Sequence, residues 1–248
     1  KKSTANANVR ILTSSFYIPQ LKRTRRVWVY LPADYATSKQ HYPVLYMHDG
    51  QNVFEDTTAY AGEWGVDEFL DTSKTQKCIV VAIDHGGDKR LNEYSPYDME
   101  RFGKGEGKLY VDFLVKKLKK YIDRKFRTER GRESTFVAGS SMGGLISMYA
   151  LLKYPGKFGG AGIFSPAFWV APGIYDYIRS KGSKVRGRVF FYAGKKEDET
   201  MVPLMVKAFG ELAAVSHAQL ETVIRDEGKH NESTWRKEFP LFYQWLFR

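Results

Sequence analysis

Thr135-Phe136-Val137-Ala138-Gly139-Ser140-Ser141-Met142-Gly143-Gly144 carries the strongest architectural signal in the chain. Its first four residues form an apolar run of strand type. The residues after it, Leu145-Ile146-Ser147-Met148-Tyr149-Ala150-Leu151-Leu152, suit a helix. Between the two lies a G-x-S-x-G pattern, the sharp strand-to-helix turn that pushes a serine hydroxyl clear of the fold. Such a turn needs glycine where strand and helix leave no room for a Cβ atom. Ser141 is therefore a candidate nucleophile.

Outward from that turn, apolar runs alternate with helical stripes. This is the pattern of a mainly parallel sheet covered by helices on both faces. Strands are predicted at Arg26–Leu31, Val44–Met47, Ile79–Ile83, Thr135–Ala138, Ala161–Phe164, Arg188–Ala193 and Leu220–Ile224. Helices are predicted at Lys108–Lys125, Met201–Val215 and from about Glu232 to Phe247, with Pro240 expected to kink or interrupt the last. No repeat, low-complexity tract, linker or long insertion divides the chain. The expectation is one α/β domain over residues 1–248 without a large cap, residues 1–24 being an N-terminal extension or a first edge strand. A chain of 248 residues can bury a substantial core.

In open α/β sheets, ligands sit at the carboxyl ends of the strands. A serine hydroxyl there needs a base, and the base needs a carboxylate to fix its tautomer. With a G-x-S-x-G elbow the chain order is serine, acid, histidine. Downstream of Ser141 the sequence offers His217, placed at the end of the Met201–Val215 helix, and His230, in the polar loop Asp226-Glu227-Gly228-Lys229-His230-Asn231. The loop position favours His230 as base. The acid falls among Glu197, Asp198 and Glu199. Glu197 is preferred as the first acidic position after Gly194, with Glu199 next. Oxyanion donors are expected from the backbone N–H of Met142 and of Gln51. His48, His85, Phe168 and Trp169 are candidate substrate contacts, and packing in the core is the competing reading for each.

Composition narrows the classes. Hydrophobic residues make up 43% and charged residues 27%, which is ordinary for a globular protein. No apolar run approaches the roughly 20 residues of a membrane span. The net charge of +11 is densest at Lys116, Lys117, Lys119 and Lys120, read as the solvated face of a helix that buries Tyr110, Leu114, Leu118, Tyr121 and Ile122. No nucleic-acid-binding motif accompanies it, so no nucleic-acid partner is expected. His48, Asp49, Asp84 and His85 lack metal-ligand spacing, and neither metal nor cofactor is expected. The lone Cys78 lies in an apolar run and reads as core. The chain opens on Lys1-Lys2-Ser3 rather than on methionine, which suggests a trimmed chain or a removed leader and puts any targeting signal out of view.

Several further stretches carry a resemblance. Val29-Tyr30-Leu31-Pro32, Tyr42 to Gly50, Arg90-Leu91-Asn92-Glu93-Tyr94-Ser95-Pro96, the Gly139–Gly144 elbow and Gly228-Lys229-His230-Asn231 together resemble the "putative esterase" family of α/β-hydrolases. That family includes esterase D-type enzymes, feruloyl and acetylxylan esterases, enterochelin esterase-like proteins and mycolyltransferases. The resemblance implies an α/β-hydrolase fold and hydrolysis of a carboxylic ester through an acyl-enzyme. Ser141 would be nucleophile, His230 base and the carboxylate after Gly194 the acid, with Met142 and Gln51 at the oxyanion hole. The expected substrate is a small-molecule or polysaccharide-linked ester, such as a feruloyl or acetyl group on a carbohydrate. A siderophore ester is the alternative, and a non-catalytic carbohydrate- or protein-binding relative is the alternative of another class. Likeness to polymer-degrading esterases leans towards export. Acyl group, oligomeric state and transfer to an acceptor other than water stay open.

Overall fold

A computed structural model describes residues 2–248. Eight strands form one sheet: β1 Val9–Ile18, β2 Arg23–Tyr30, β3 Val44–His48, β4 Ile79–Ile83, β5 Thr135–Ser140, β6 Gly160–Phe164, β7 Arg186–Gly194 and β8 His217–Arg225. Their order is β1-β2-β4-β3-β5-β6-β7-β8. The β1–β2 and β2–β4 pairs are antiparallel and all the others are parallel. This is the expected α/β-hydrolase architecture. The N-terminal region supplies edge strand β1. β8 extends beyond the predicted Leu220–Ile224 at both ends.

Helices cover both faces: α1 Val66–Thr72, α2 Arg90–Tyr94, α3 Gly107–Phe113, α4 Lys119–Lys125, α5 Met142–Lys153, α6 Gly173–Lys181, α7 Met201–Val215 and α8 Glu232–Leu246. Strand side chains alternate between two apolar cores. Val44, Tyr46, Val81 and Ile83 pack on one side with α3 to α7, whereas Leu45, Met47, Val80 and Ala82 pack on the other with Trp64 and α8. Strands buried on both faces read as continuous apolar runs, which is why their centres were legible. No helix among the described residues is long and apolar enough to cross a membrane.

Three expectations need correction. His217 does not close a helix. α7 stops at Val215, and His217 opens β8, paired with Arg186 and donating its amide to Val185 O. Of the kink or interruption expected at Pro240, the interruption is absent, since α8 continues through it to Leu246. Lys119 is not on a solvated face. Residues Leu114–Leu118 form a π-helical turn between α3 and α4, and the wider turn shifts the register of the residues after it. Lys119 is thereby buried, with Nζ 2.7 Å from Asp123 Oδ2 and 3.3 Å from Arg130 O.

Candidate active site

The carboxyl ends of β3, β5 and β6 each carry a non-glycine residue with positive φ: Asp49 (55°), Ser141 (59°) and Ser165 (43°). Such backbone is costly for L-residues and concentrates where function requires it. Ser141, with ψ of −121°, immediately precedes α5. A Cβ on Gly139 would come within 2.8 Å of Gly143 C, so the elbow closes only with glycine at that position. The Met142 N–H begins α5 and the Gln51 N–H lies in the first turn of the 3₁₀ helix Gly50–Asn52, so neither has an intrahelical acceptor.

Behind Ser141, β7 ends at Gly194 and the loop after β8 folds back across it. Lys195 N donates to Arg225 O and Lys196 N to Gly228 O. A Cβ on Gly194 would sit 2.2 Å from Gly228 O, so this crossing also depends on glycine. It brings His230 to Glu197, with Nδ1 and Oε2 2.6 Å apart. The Glu197 side chain is fully buried, while that of His230 is 39% exposed. Glu197 Oε1 accepts from Gly194 N at 2.7 Å and from Ser165 Oγ at 2.7 Å. Trp235 Nε1 donates to Ser165 Oγ at 2.9 Å, and its ring meets His230 edge-on with centroids 5.1 Å apart.

The other two carboxylates are occupied differently. Asp198 Oδ1 accepts from Thr200 N, Thr200 Oγ1 and Met201 N, bracing the turn into α7. Burial opposes ionisation of Asp198, but the Thr200 and Met201 donors outweigh it and hold the carboxyl below its ordinary range. Glu199 is exposed.

Ser141 and His230 line two adjoining cavities. One, of about 320 Å³, has Leu91, Phe102, Met142, Trp169, Val170 and Met201 in its wall, with Arg90 and Asp198. The second, of about 410 Å³, is walled by Asp49, Asn52, Tyr60, His85, Glu232 and Trp235, again with Arg90. Among the described residues, no hydrogen bond joins Ser141 Oγ to His230. In ligand-free sites such contacts often tighten only when substrate binds. Arg90 grips Asp49 through both oxygens, at 2.7 and 2.8 Å. Burial alone would raise the Asp49 carboxyl, and the Arg90 guanidinium overcomes this and holds it low. Glu232 is pushed up by burial, with Asp49 adding to the effect.

Of the candidate substrate contacts, His85 and Trp169 line these cavities and the other two do not. His48 is buried, with Nδ1 2.9 Å from Tyr110 Oη, and its imidazole is pushed down to about 4 by burial. Phe168 is wholly buried and packs edge-on against Tyr175. Both are core groups: the His48 ring packs against Tyr94 and Tyr110, and Phe168 against Tyr175. Gln51 is absent from both cavity walls and is tied instead to His85 N and Thr58 Oγ1. Asp84, read beside His48 and His85, pairs with Arg26 and Trp28. Arg90, Glu232 and Trp235 escaped sequence reading as site residues.

Residues 18–244 match the family model described as "Putative esterase". The chain belongs to that family of α/β-hydrolase-fold esterases. Among its relatives, the uncharacterized protein YbbA of Bacillus subtilis is 27% identical over 246 residues, covering 90% of this chain and 92% of that protein. The endo-1,4-beta-xylanase/feruloyl esterase of Xylanibacter ruminicola is 25% identical over 255 residues, covering 100% of this chain but 32% of that longer protein. In fold, the chain matches the BES protein from Bacillus cereus (TM-score 0.83, 18% identity, 100% and 98% of the two chains). It also matches the enterobactin esterase FES from Shigella flexneri (TM-score 0.71, 18% identity, 98% and 60%).

Proposed function

We propose that the protein is a serine carboxylesterase, one domain spanning the chain, that works through an acyl-enzyme. The single observation carrying this reading is the 2.6 Å bond between His230 Nδ1 and buried Glu197, in the wall of a cavity shared with strained Ser141. Glu197 fixes the tautomer that leaves His230 Nε2 free to accept a proton. Ser141 Oγ gives up that proton as it attacks the ester carbonyl. The oxyanion that forms is stabilised by the amide of Met142, which lines the apolar cavity, with the α5 N-terminus adding a favourable dipole, and the family resemblance adds the Gln51 amide. His230 then returns the proton to the departing alkoxide, and water repeats the sequence on the acyl-enzyme.

The substrate class we favour is an aromatic acyl group on a carbohydrate. The apolar wall of Leu91, Phe102, Trp169 and Val170 suits a flat acyl ring, and the polar wall of Asn52, Tyr60, His85 and Glu232 suits sugar hydroxyls. The xylanase/feruloyl esterase relative supports the same class. The net charge of +11 and the fold likeness to an enterobactin esterase favour a second reading, hydrolysis of an anionic catecholate ester. Asp49, Asp198 and Glu232 in the cavity walls weigh against it. Turnover of acetyl, butyryl, feruloyl-sugar and tri-catecholate esters, run beside Ser141→Ala, tests both. Feruloyl-sugar should be preferred. Preference for the catecholate would select the second reading, and turnover of none would favour a binding protein.

A further inference from the structure

Away from Ser141, three carboxylates converge beneath the loop that enters α1. One oxygen each from Glu63, Asp67 and Glu68 lies within 4.8 Å of those of the other two. Each uses one oxygen on a protein partner. Glu63 Oε1 is 3.3 Å and Glu68 Oε1 3.5 Å from the Arg236 guanidinium, while Asp67 Oδ2 accepts from Asn6 N at 2.9 Å. The second oxygens, Glu63 Oε2, Asp67 Oδ1 and Glu68 Oε2, are all buried and met by no protein N–H or O–H donor, and the Asp67 and Glu68 carboxylates face one another. Glu63 is only 6% exposed and Asp67 wholly buried. Bare carboxylate oxygens in such a place are expensive, and one guanidinium at these distances cannot pair with all three carboxylates.

We propose that Glu63, Asp67 and Glu68 form a site for a hard divalent cation of the calcium type, taken up through the inward-facing oxygens that the protein leaves unpaired. Carboxylate-only donors suit hard cations rather than soft ones. An adjoining cavity of about 420 Å³, whose wall includes Thr4, Glu63, Glu68 and Ser233, gives an entry path and room for water ligands. The site goes beyond the esterase reading and does not depend on it. Its consequence is mechanical. Trp64 follows Glu63 and stacks on Trp235, with centroids 5.8 Å apart and planes 25° from parallel. Trp235 in turn holds Ser165 against Glu197. The bound cation therefore pins the strut behind the His230–Glu197 pair. The alternative that would leave these oxygens comfortable is protons shared among them, since burial and mutual repulsion push the Glu63 and Asp67 carboxyls up to about 7.

The test is calorimetric titration of EDTA-treated protein with Ca²⁺ at neutral pH, with Mg²⁺ and Mn²⁺ in parallel, followed by thermal melts. The expected result is one saturable site per chain and a Tm rise of about 5–10 °C at roughly a hundred times Kd. Asp67→Asn and, should that variant fold poorly, the more exposed Glu68→Gln should each weaken binding at least about tenfold, a change of one 1.4 kcal/mol step. Ser141→Ala should bind as the wild type does. Absence of saturable binding by any of the three ions, or binding indifferent to both carboxylate variants, overturns the proposal. So does an Asp67→Asn protein that melts higher than wild type without cation and gains nothing from it.

Discussion

Ser165 Oγ lies 2.7 Å from Glu197 Oε1, and the same hydroxyl receives the Trp235 indole N–H at 2.9 Å. One small side chain, held at positive φ, thus aligns the carboxylate that holds His230 and ties α8 to the site. Ser165→Ala should leave a buried carboxylate oxygen with one donor fewer and the indole N–H unpaired. The expected cost is about 1–3 kcal/mol in urea unfolding and about a tenfold lower kcat. An unchanged kcat would show that Ser165 does not position Glu197.

The three neighbouring carboxylates should separate sharply. Glu197→Gln should lower kcat by about 10⁴-fold, because the His230 tautomer is no longer fixed. Asp198→Ala should instead lose about 1–2 kcal/mol of stability, since it braces the turn into α7, without that collapse in rate. Glu199→Gln should change neither. Steady-state kinetics and melts on the three variants decide the assignment.

Trp169 is 55% exposed and lines the apolar cavity. Trp169→Ala should raise KM for feruloyl esters by about 2–10-fold, the worth of one aromatic contact, and leave acetyl esters unaffected. Equal effects on both acyl groups would remove Trp169 from acyl recognition.

His48 supplies a pH signature. Burial pushes its imidazole from 6.5 down to about 4, so below pH 6.5 the unfolded chain takes up a proton that the native chain refuses. Stability from this group is full above pH 6.5 and is lost as pH falls towards 4, by about 3 kcal/mol in all. His48→Phe should be less stable at neutral pH, with Tyr110 deprived of its partner, yet show a shallower decline on acidification. Parallel slopes for the two proteins in urea melts between pH 7 and 4.5 would refute this.

How much of the molecule was legible in the sequence depends on how locally each feature is encoded. The elbow is a contiguous pattern forced by strand, turn and helix, and His230 and Glu197 stand just past strand ends, where topology delivers side chains to the site. Helix α7 spans Met201–Val215 as its regular apolar spacing predicts, and only the placing of His217 at its end fails. The π turn at Leu114–Leu118 was invisible, since one extra residue per turn leaves no compositional trace, and Lys119 was misplaced with it. His48 and Phe168 were read as site residues from proximity to strand ends, although which way a side chain points depends on backbone that sequence does not reveal. Glu63, Asp67 and Glu68 carry no signal in the sequence, because their convergence is made by a loop and one short helix. Trp235 acts through Ser165, 70 positions away, a link no spacing could suggest.

The most direct measurement is hydrolysis of p-nitrophenyl acetate by Ser141→Ala beside wild type, with circular dichroism confirming that both are folded. Removing the nucleophile should lower kcat by about 10⁴-fold or more. A folded Ser141→Ala protein that retains the wild-type rate would exclude Ser141 as the nucleophile.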